Sequence, residues 1–188
     1  MARTLRVGFL NPVQTQDPHA SYTVESALVC TQVFEPLVHA GGEGAPSEPV
    51  LLEELPRELP GTDPSTMFAA RVRRGILFSD GTPLTAEQVA ASMNRTDAFK
   101  DHGRAEAKGD EVVFRLKKPN PRIDLLLTQV MLAVALEKGG KVLGTGPYQF
   151  APDSTPERIR LVPNPHSRFD EARALDEVIF TYYPPGPE

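Results

Sequence analysis

Gly144-Thr145-Gly146 is the stretch nearest to a phosphate-binding turn, because closely spaced glycines let backbone N–H groups approach an anion. It lacks the third glycine, the Lys-Ser/Thr pair and the helix start that such a site needs, so a structural turn is expected. His19, His39, His102 and His166 stand apart from one another and from any Cys or carboxylate at ligand spacing. Neither metal nor cofactor is therefore expected. Glu53-Glu54, Asp110-Glu111 and Glu87 supply carboxylates, but nothing singles out a buried pair whose pKa values could separate for acid/base work. Cys30 is the only cysteine, which excludes an internal disulfide. Its place in a helical pattern suits a small buried apolar residue rather than a nucleophile. Asn94-Arg95-Thr96 matches a glycosylation acceptor and is expected to be without consequence. No enzyme is expected; the reading is of a non-catalytic protein.

Composition narrows the class further. The 188 residues are 40% apolar and 24% charged, ordinary for a globular protein with one substantial core or two small lobes. A formal charge of -5 and the absence of an Arg/Lys block give no reason to expect a nucleic-acid or anionic-membrane partner. The 19 prolines fall in connections and the tail, which argues for a loop-rich fold between periodic segments. No apolar run is long enough for a membrane insertion. The chain opens MARTLRVGFL with strand alternation already under way, so a cytoplasmic location is expected, periplasmic or extracellular being the alternative if a leader was removed.

The elements that must position any site are centred on Val72 to Asn94. Phe68, Ala70 and Val72 alternate as the end of a strand, and Asp80-Gly81 is a tight-turn signal. Thr85 fits a helix N-cap, Gln88 completes a capping box, and Leu84 and Val89 occupy the positions of a hydrophobic staple before a helix over Ala86 to Asn94. Upstream, Leu5 to Leu10 reads as a strand and Asn11 to Ala20 as a loop. Ser21 reads as the cap of a helix from Tyr22 to about Phe34, with Val24, Ala27, Leu28 and Thr31 facing inward. Gly41 to Pro49 and Pro56 to Pro64 read as connections, and Asp97 to Asp110 as charged and irregular. Val112, Phe114 and Leu116 form a strand expected to pair with Phe68–Val72. Ile159 and Leu161 mark a further strand; Val178, Phe180 and Tyr182 mark the last, which Pro184, Pro185 and Pro187 end. A helix is expected over about Arg122 to Lys138, opened by Asn120-Pro121 and closed by Gly139-Gly140. Its apolar surface spreads around most of the circumference, so it requires cover on more than one side. That cover is either its own sheet or a partner, reached through Leu125, Val130, Leu132 and Leu136.

The run RRGILFSDGTPLTAEQV closely resembles the signature of the family 5 extracellular solute-binding proteins, the oligopeptide, dipeptide and nickel receptors of ABC importers. Arg73, Gly75, Phe78, Asp80, Gly81, Pro83, Thr85, Ala86, Glu87 and Val89 stand where that pattern expects them. Asp17-Pro18-His19, Phe34-Glu35-Pro36-Leu37-Val38, VVFRLKKPNP from Val112, GTGPYQF from Gly144 and Asn164-Pro165 follow in the family's order. Two departures are visible. Pro49 to Leu55 lacks the family's tryptophan, and Asn164-Pro165-His166 is followed by Ser167 where the family places Tyr-Trp.

The resemblance implies a mixed α/β, periplasmic-binding-protein-like fold of type II, truncated to its first part. Residues 1–54 and 142–188 would form the first lobe and 55–141 an inserted small α+β domain, with the second lobe absent. It also implies ligand contacts from the loop after the first strand and around the glycine turn: Asp17, His19, Tyr22, Gly144, Thr145, Gly146 and Tyr148. Half a cleft holds a small solute poorly, so the leading expectation is a shortened relative acting through self-association or a protein partner. The alternatives are a fragment of the substrate-binding component of a peptide importer, or an accessory subunit that binds a peptide or small solute at a seam between chains.

Overall fold

The computed structural model describes residues 3–42, 45–61, 63–169 and 174–184. In chain order they form β1 (Thr4–Phe9), α1 (Val24–Val33), β2 (Val38–His39), β3 (Glu48–Pro49), β4 (Arg57–Glu58) and β5 (Met67–Arg71). There follow α2 (Ala86–Arg95), α3 (Asp97–Lys100), β6 (Gly103–Lys108), β7 (Glu111–Leu116) and α4 (Ile123–Leu126). The last elements are β8 (Leu136–Lys138), β9 (Lys141–Leu143), β10 (Tyr148–Phe150), β11 (Arg158–Pro163) and β12 (Glu177–Tyr182).

Two four-stranded sheets carry the fold, in the orders β1-β12-β11-β10 and β4-β5-β7-β6. In the first, β1 lies parallel to β12 from Thr4↔Glu177 to Phe9↔Tyr182, so the early and late parts of the chain close on each other. α1 covers this sheet with Val29, Cys30, Val33 and Phe34 against Ile159, Leu161, Val178 and Phe180. The second sheet is antiparallel, and the expected pairing is present with Phe68 opposite Phe114 and Ala70 opposite Val112. Its core gathers Phe78, Leu84, Val89, Met93 and Phe99 with Leu37, Leu51 and Leu52.

The signature run is a turn followed by a helix. Gly75 and Gly81 take φ of +79° and +83°, the left-handed region that glycine reaches without a Cβ penalty. Asp80 Oδ1 accepts from the Thr82 N–H at 2.9 Å, Pro83 bridges back to Leu77, and Leu84 and Val89 are buried as a staple requires. The capping box departs from expectation: the Thr85 hydroxyl bonds the Gln88 side chain rather than a backbone N–H.

Several expectations are corrected. α1 is capped by Thr23, whose hydroxyl accepts from the Ser26 N–H. Its buried face is Ser26, Val29, Cys30 and Val33, while Val24, Leu28 and Thr31 are exposed. The apolar residues on both sides of the helix made the stripe ambiguous. Asp97 to Asp110 is not irregular: it holds α3 and β6, whose inward residues, Gly103, Ala105 and Ala107, are too small to signal a strand. A Cβ on Gly103 would lie 2.2 Å from the Arg115 carbonyl oxygen, so the close pairing itself excludes larger residues. The two connections hold the short strands β3 and β4, paired with β2 and β5. Residues 43–44 of the first connection and the final Pro185 and Pro187 lie outside the described residues.

The largest correction concerns Arg122 to Lys138, which is not one helix. It comprises α4, a 3-10 turn over Val130–Leu132, an extended passage through Ala133–Ala135, and β8. Leu132 and Val134 enter the core of the second sheet, whereas Ala133 and Ala135 enter that of the first. An extended segment points alternate side chains to opposite sides, so a passage wedged between two cores is apolar on both. Leu132 is fully buried within the chain, Val130 and Leu136 are half-buried, and Leu125 is 43% exposed. The apolar surface that suggested a partner is thus largely covered from within, and Leu132 is not available to one. We expect Leu132→Glu to cost about 4 kcal/mol or more, through an unpaired buried charge, while Leu125→Glu stays within about 0.5 kcal/mol. Chemical denaturation of the two variants checks this; dissociation of a folded Leu132→Glu chain from an oligomer would contradict it.

Candidate functional site

The glycine turn is seated directly on the end of α1. A Cβ on Gly144 would lie 2.0 Å from the Val33 carbonyl oxygen, and one on Gly146 2.7 Å from the same atom. The Gly146 N–H donates to that oxygen at 2.9 Å. These glycines therefore serve close backbone approach, and Gly146's donor is spent inside the protein rather than on an anion. Between them the Thr145 hydroxyl donates to Glu35 Oε2 at 2.8 Å. Arg168 closes on the same carboxylate with two bonds, 2.7 Å to Oε2 and 2.6 Å to Oε1. Asn164, fully buried, donates from Nδ2 to the Gly146 carbonyl at 2.8 Å.

A second tie lies on the loop after β1. Asp17 receives both terminal nitrogens of Arg95, at 2.6 and 2.9 Å, and the His19 N–H at 3.0 Å. Burial pushes the Asp17 carboxyl up, but the Arg95 bonds, the His19 N–H and the nearby positive charge together hold it below its ordinary value. His19 is itself buried, with Nε2 3.0 Å from the Ala133 carbonyl oxygen. Because a carbonyl only accepts, Nε2 carries the proton. Burial first, and then the Arg95 charge, push the imidazole pKa down. Cys30 is pushed up to about 12 by burial, which leaves an inert thiol.

A cleft of about 750 Å³ opens beside these ties. One side is the loop Thr15–Asp17. The others are Ser79 and Asp80 of the signature turn, the β8–β9 hairpin, and the stretch from Gln149 to Ser154. The hairpin turns on Gly139 and Gly140, both at positive φ. Lys138 Nζ ties it to Asp80 at 2.7 Å and to Thr82 at 3.0 Å. That Lys138 bond, with the Thr82 donors, holds the Asp80 carboxyl down at about 2. Lys141 and Gln16 line the cleft with no hydrogen-bond or ion-pair partner among the described residues.

The expected ligand residues are thus not gathered in one place. Asp17 lines the cleft and His19 lies buried beside it; Gly144, Thr145 and Gly146 are buried and line neither hollow. Tyr148 faces a separate, smaller pocket. Tyr22 is 72% exposed and lines neither. Sequence reasoning missed Lys141 and Gln149 on the cleft wall. The signal was present: Leu-Glu-Lys-Gly-Gly-Lys-Val-Leu has the pattern of a two-residue hairpin. Among the described residues no three His, Cys, Asp or Glu side chains gather as a metal site would need.

Residues 62–187 match the family described as "Bacterial extracellular solute-binding proteins, family 5 Middle". The chain belongs to this family. It is 28% identical over 155 residues to the glutathione-binding protein GsiB of Shigella boydii serotype 4 (strain Sb227), a match covering 72% of this chain and 29% of that protein. The nickel ABC transporter structure from Bacillus halodurans superposes with a TM-score of 0.79 at 22% identity, over 96% of this chain and 39% of that one. Listeria monocytogenes OppA bound to peptide superposes with a TM-score of 0.79 at 16% identity, over 97% of this chain and 43% of that one. The likeness to these structures is one of fold, periplasmic-binding-protein-like and mixed α/β. The chain spans well under half the length of each of these relatives. Arg168, beside Ser167, supplies the ion pair to Glu35. No helix among the described residues is long and apolar enough to cross a membrane.

Two outcomes follow from this geometry. Glu35→Ala strands Arg168 and Thr145 and is expected to cost about 3 kcal/mol, measurable by urea unfolding. Asp80, whose pKa is lowered in the folded chain, contributes stability above its ordinary 3.8 that is lost as pH falls through about 2. In Lys138→Gln its titration, followed by carboxylate 13C NMR, is expected to move back toward the ordinary value.

Proposed function

We propose that this chain is part of a solute-binding receptor and forms one wall of its ligand site, binding without catalysis. The observation that carries this is the cleft of about 750 Å³ in a chain of a solute-binding family, lined by the loop after β1 and by polar groups left uncommitted. Concave sites with a few convergent polar groups are where small ligands bind. Lys141 offers a cation and Gln16 an uncommitted amide, beside Gln149, whose Nε2 already donates to the Pro163 carbonyl at 3.4 Å. The same cleft has apolar lining from Val33, Leu143 and Val162 and carboxylates from Asp17 and Asp80, both already paired. That set suits a peptide or another small solute bearing a carboxylate. On this reading Asp17 holds the loop in place through Arg95 and does not itself grip the ligand.

The family's name places its members outside the cell, and we assign this receptor fragment to the same side rather than to the cytoplasm. Residues 1–54 and 142–188 would constitute the lobe that faces the solute, with 55–141 as its inserted domain. The self-association reading has lost its main support, since the helix that was to mediate it does not form.

The test is a two-dimensional NMR titration with alanyl-alanine, glutathione and a nickel–histidine complex. At least one is expected to give saturable shifts at Gln16, Lys141 and Gln149, with an affinity on the order of millimolar because only one side of the solute is covered. Lys141→Gln is expected to weaken a carboxylate ligand by roughly threefold to fivefold, the worth of one exposed charge contact. Absence of saturable shifts at these amides with all three probes would overturn the proposal.

A further inference from the structure

The smaller pocket, of about 390 Å³, shares no lining residue with the cleft. We propose that it is a second, separate site, for an uncharged aromatic ring. Its walls are the rings of Phe34, Tyr148 and Phe169 together with Pro36, Val130 and Ala133. Phe34, Tyr148 and Ala133 belong to the core beneath and are almost wholly buried, so the floor is rigid and preformed.

Most polar groups around it already have partners within the chain; the exposed His39 on its lining has none among the described residues. The Thr31 hydroxyl donates to the Leu28 carbonyl at 2.9 Å, and the Thr128 hydroxyl to the Leu125 carbonyl at 2.9 Å. Tyr148 donates to the Leu175 carbonyl at 3.4 Å. Both Glu35 oxygens are held by Arg168, and one also by Thr145. Glu35 and Arg168 cancel in charge, and the Arg168 guanidinium lies 4.3 Å from the centre of the Phe169 ring.

Water in such a pocket finds few partners, and so gives way to an apolar occupant at little cost. A charged ligand would have to compete with the Glu35–Arg168 pair, whereas a neutral one leaves it intact. Aromatic edges and faces on the walls favour a ring over an aliphatic chain, through offset or edge-to-face packing. The volume admits one or two fused rings. The ring arrives either as a free small molecule or as a side chain on a peptide, since the contact chemistry is the same.

Indole and N-acetyltryptophanamide are the probes. The protein has no tryptophan, so indole emission reports the ligand alone. A saturable blue shift with either probe is expected, and the tighter of the two tells whether the ring is received free or on a peptide. Thr31→Phe, at an exposed helix position on the rim, is expected to weaken binding by about tenfold or more by occupying the opening, and Thr128→Phe to do the same from another side. Negatively charged indole-3-acetate is expected to bind about tenfold more weakly than indole. Lys141→Gln, in the other cleft, is expected to leave indole binding unchanged. Circular dichroism establishes that each variant is folded. No saturable shift up to the solubility limit, or equal affinity in both folded rim variants, overturns the assignment.

Discussion

Everything in this fold leans on one short extended passage, Ala133 to Ala135, which runs between two hydrophobic cores with no water to satisfy its backbone. A buried peptide group without a partner is costly, and three of those here are met by distant parts of the chain. The Ala133 carbonyl accepts from His19 on the loop after β1, and the Val134 N–H donates to the Glu35 carbonyl past the end of α1. The Ala135 N–H donates to the Ser92 hydroxyl on α2. Three distant segments are thereby fixed in register to a single strand-like wedge. The Asp17–Arg95 pair repeats the connection between the β1 loop and α2 a short way off.

The concave surfaces follow from that arrangement. Glu35 presents its carbonyl to the wedge and its carboxylate to Thr145 and Arg168, so one residue joins the buried passage to the glycine turn. Val33 lines the polar cleft while Phe34 and Glu35 line the aromatic pocket, so the end of α1 is shared between the two concavities. Lys141 and Gln16 are left uncommitted in the first, whereas in the second most polar groups are already bonded within the chain, which gives the two concavities different ligand chemistry.

Much of the architecture was legible because local signals agreed with one another. The Asp80-Gly81 turn, the Leu84–Val89 staple and the strand pair of Phe68 and Phe114 each rest on neighbours in sequence or on period-two alternation. Legibility failed where a signal was weak or doubled. β6 has inward residues of glycine and alanine, whose small size the pairing demands but whose composition suggests no strand. α1 carries apolar residues on both its buried and its exposed faces, so the pattern could not choose between them. The wedge was read as an over-apolar helix because burial on both faces erases the alternation that marks a strand.

The sequence by itself determined the family, through an ungapped run in which turn, cap and staple residues occupy fixed positions, and it determined one strand pairing of the second sheet, that of β5 with β7. Such features are short in range, and their chemistry is written in adjacent residues. Only the tertiary structure decided that Arg168 reaches Glu35, 133 positions away, and that Asp17 serves Arg95. It alone decided that Tyr148 and Asp17 face different hollows. Those outcomes depend on where two cores meet and which charges that meeting brings within a few ångströms, and no spacing along the chain encodes such a distance.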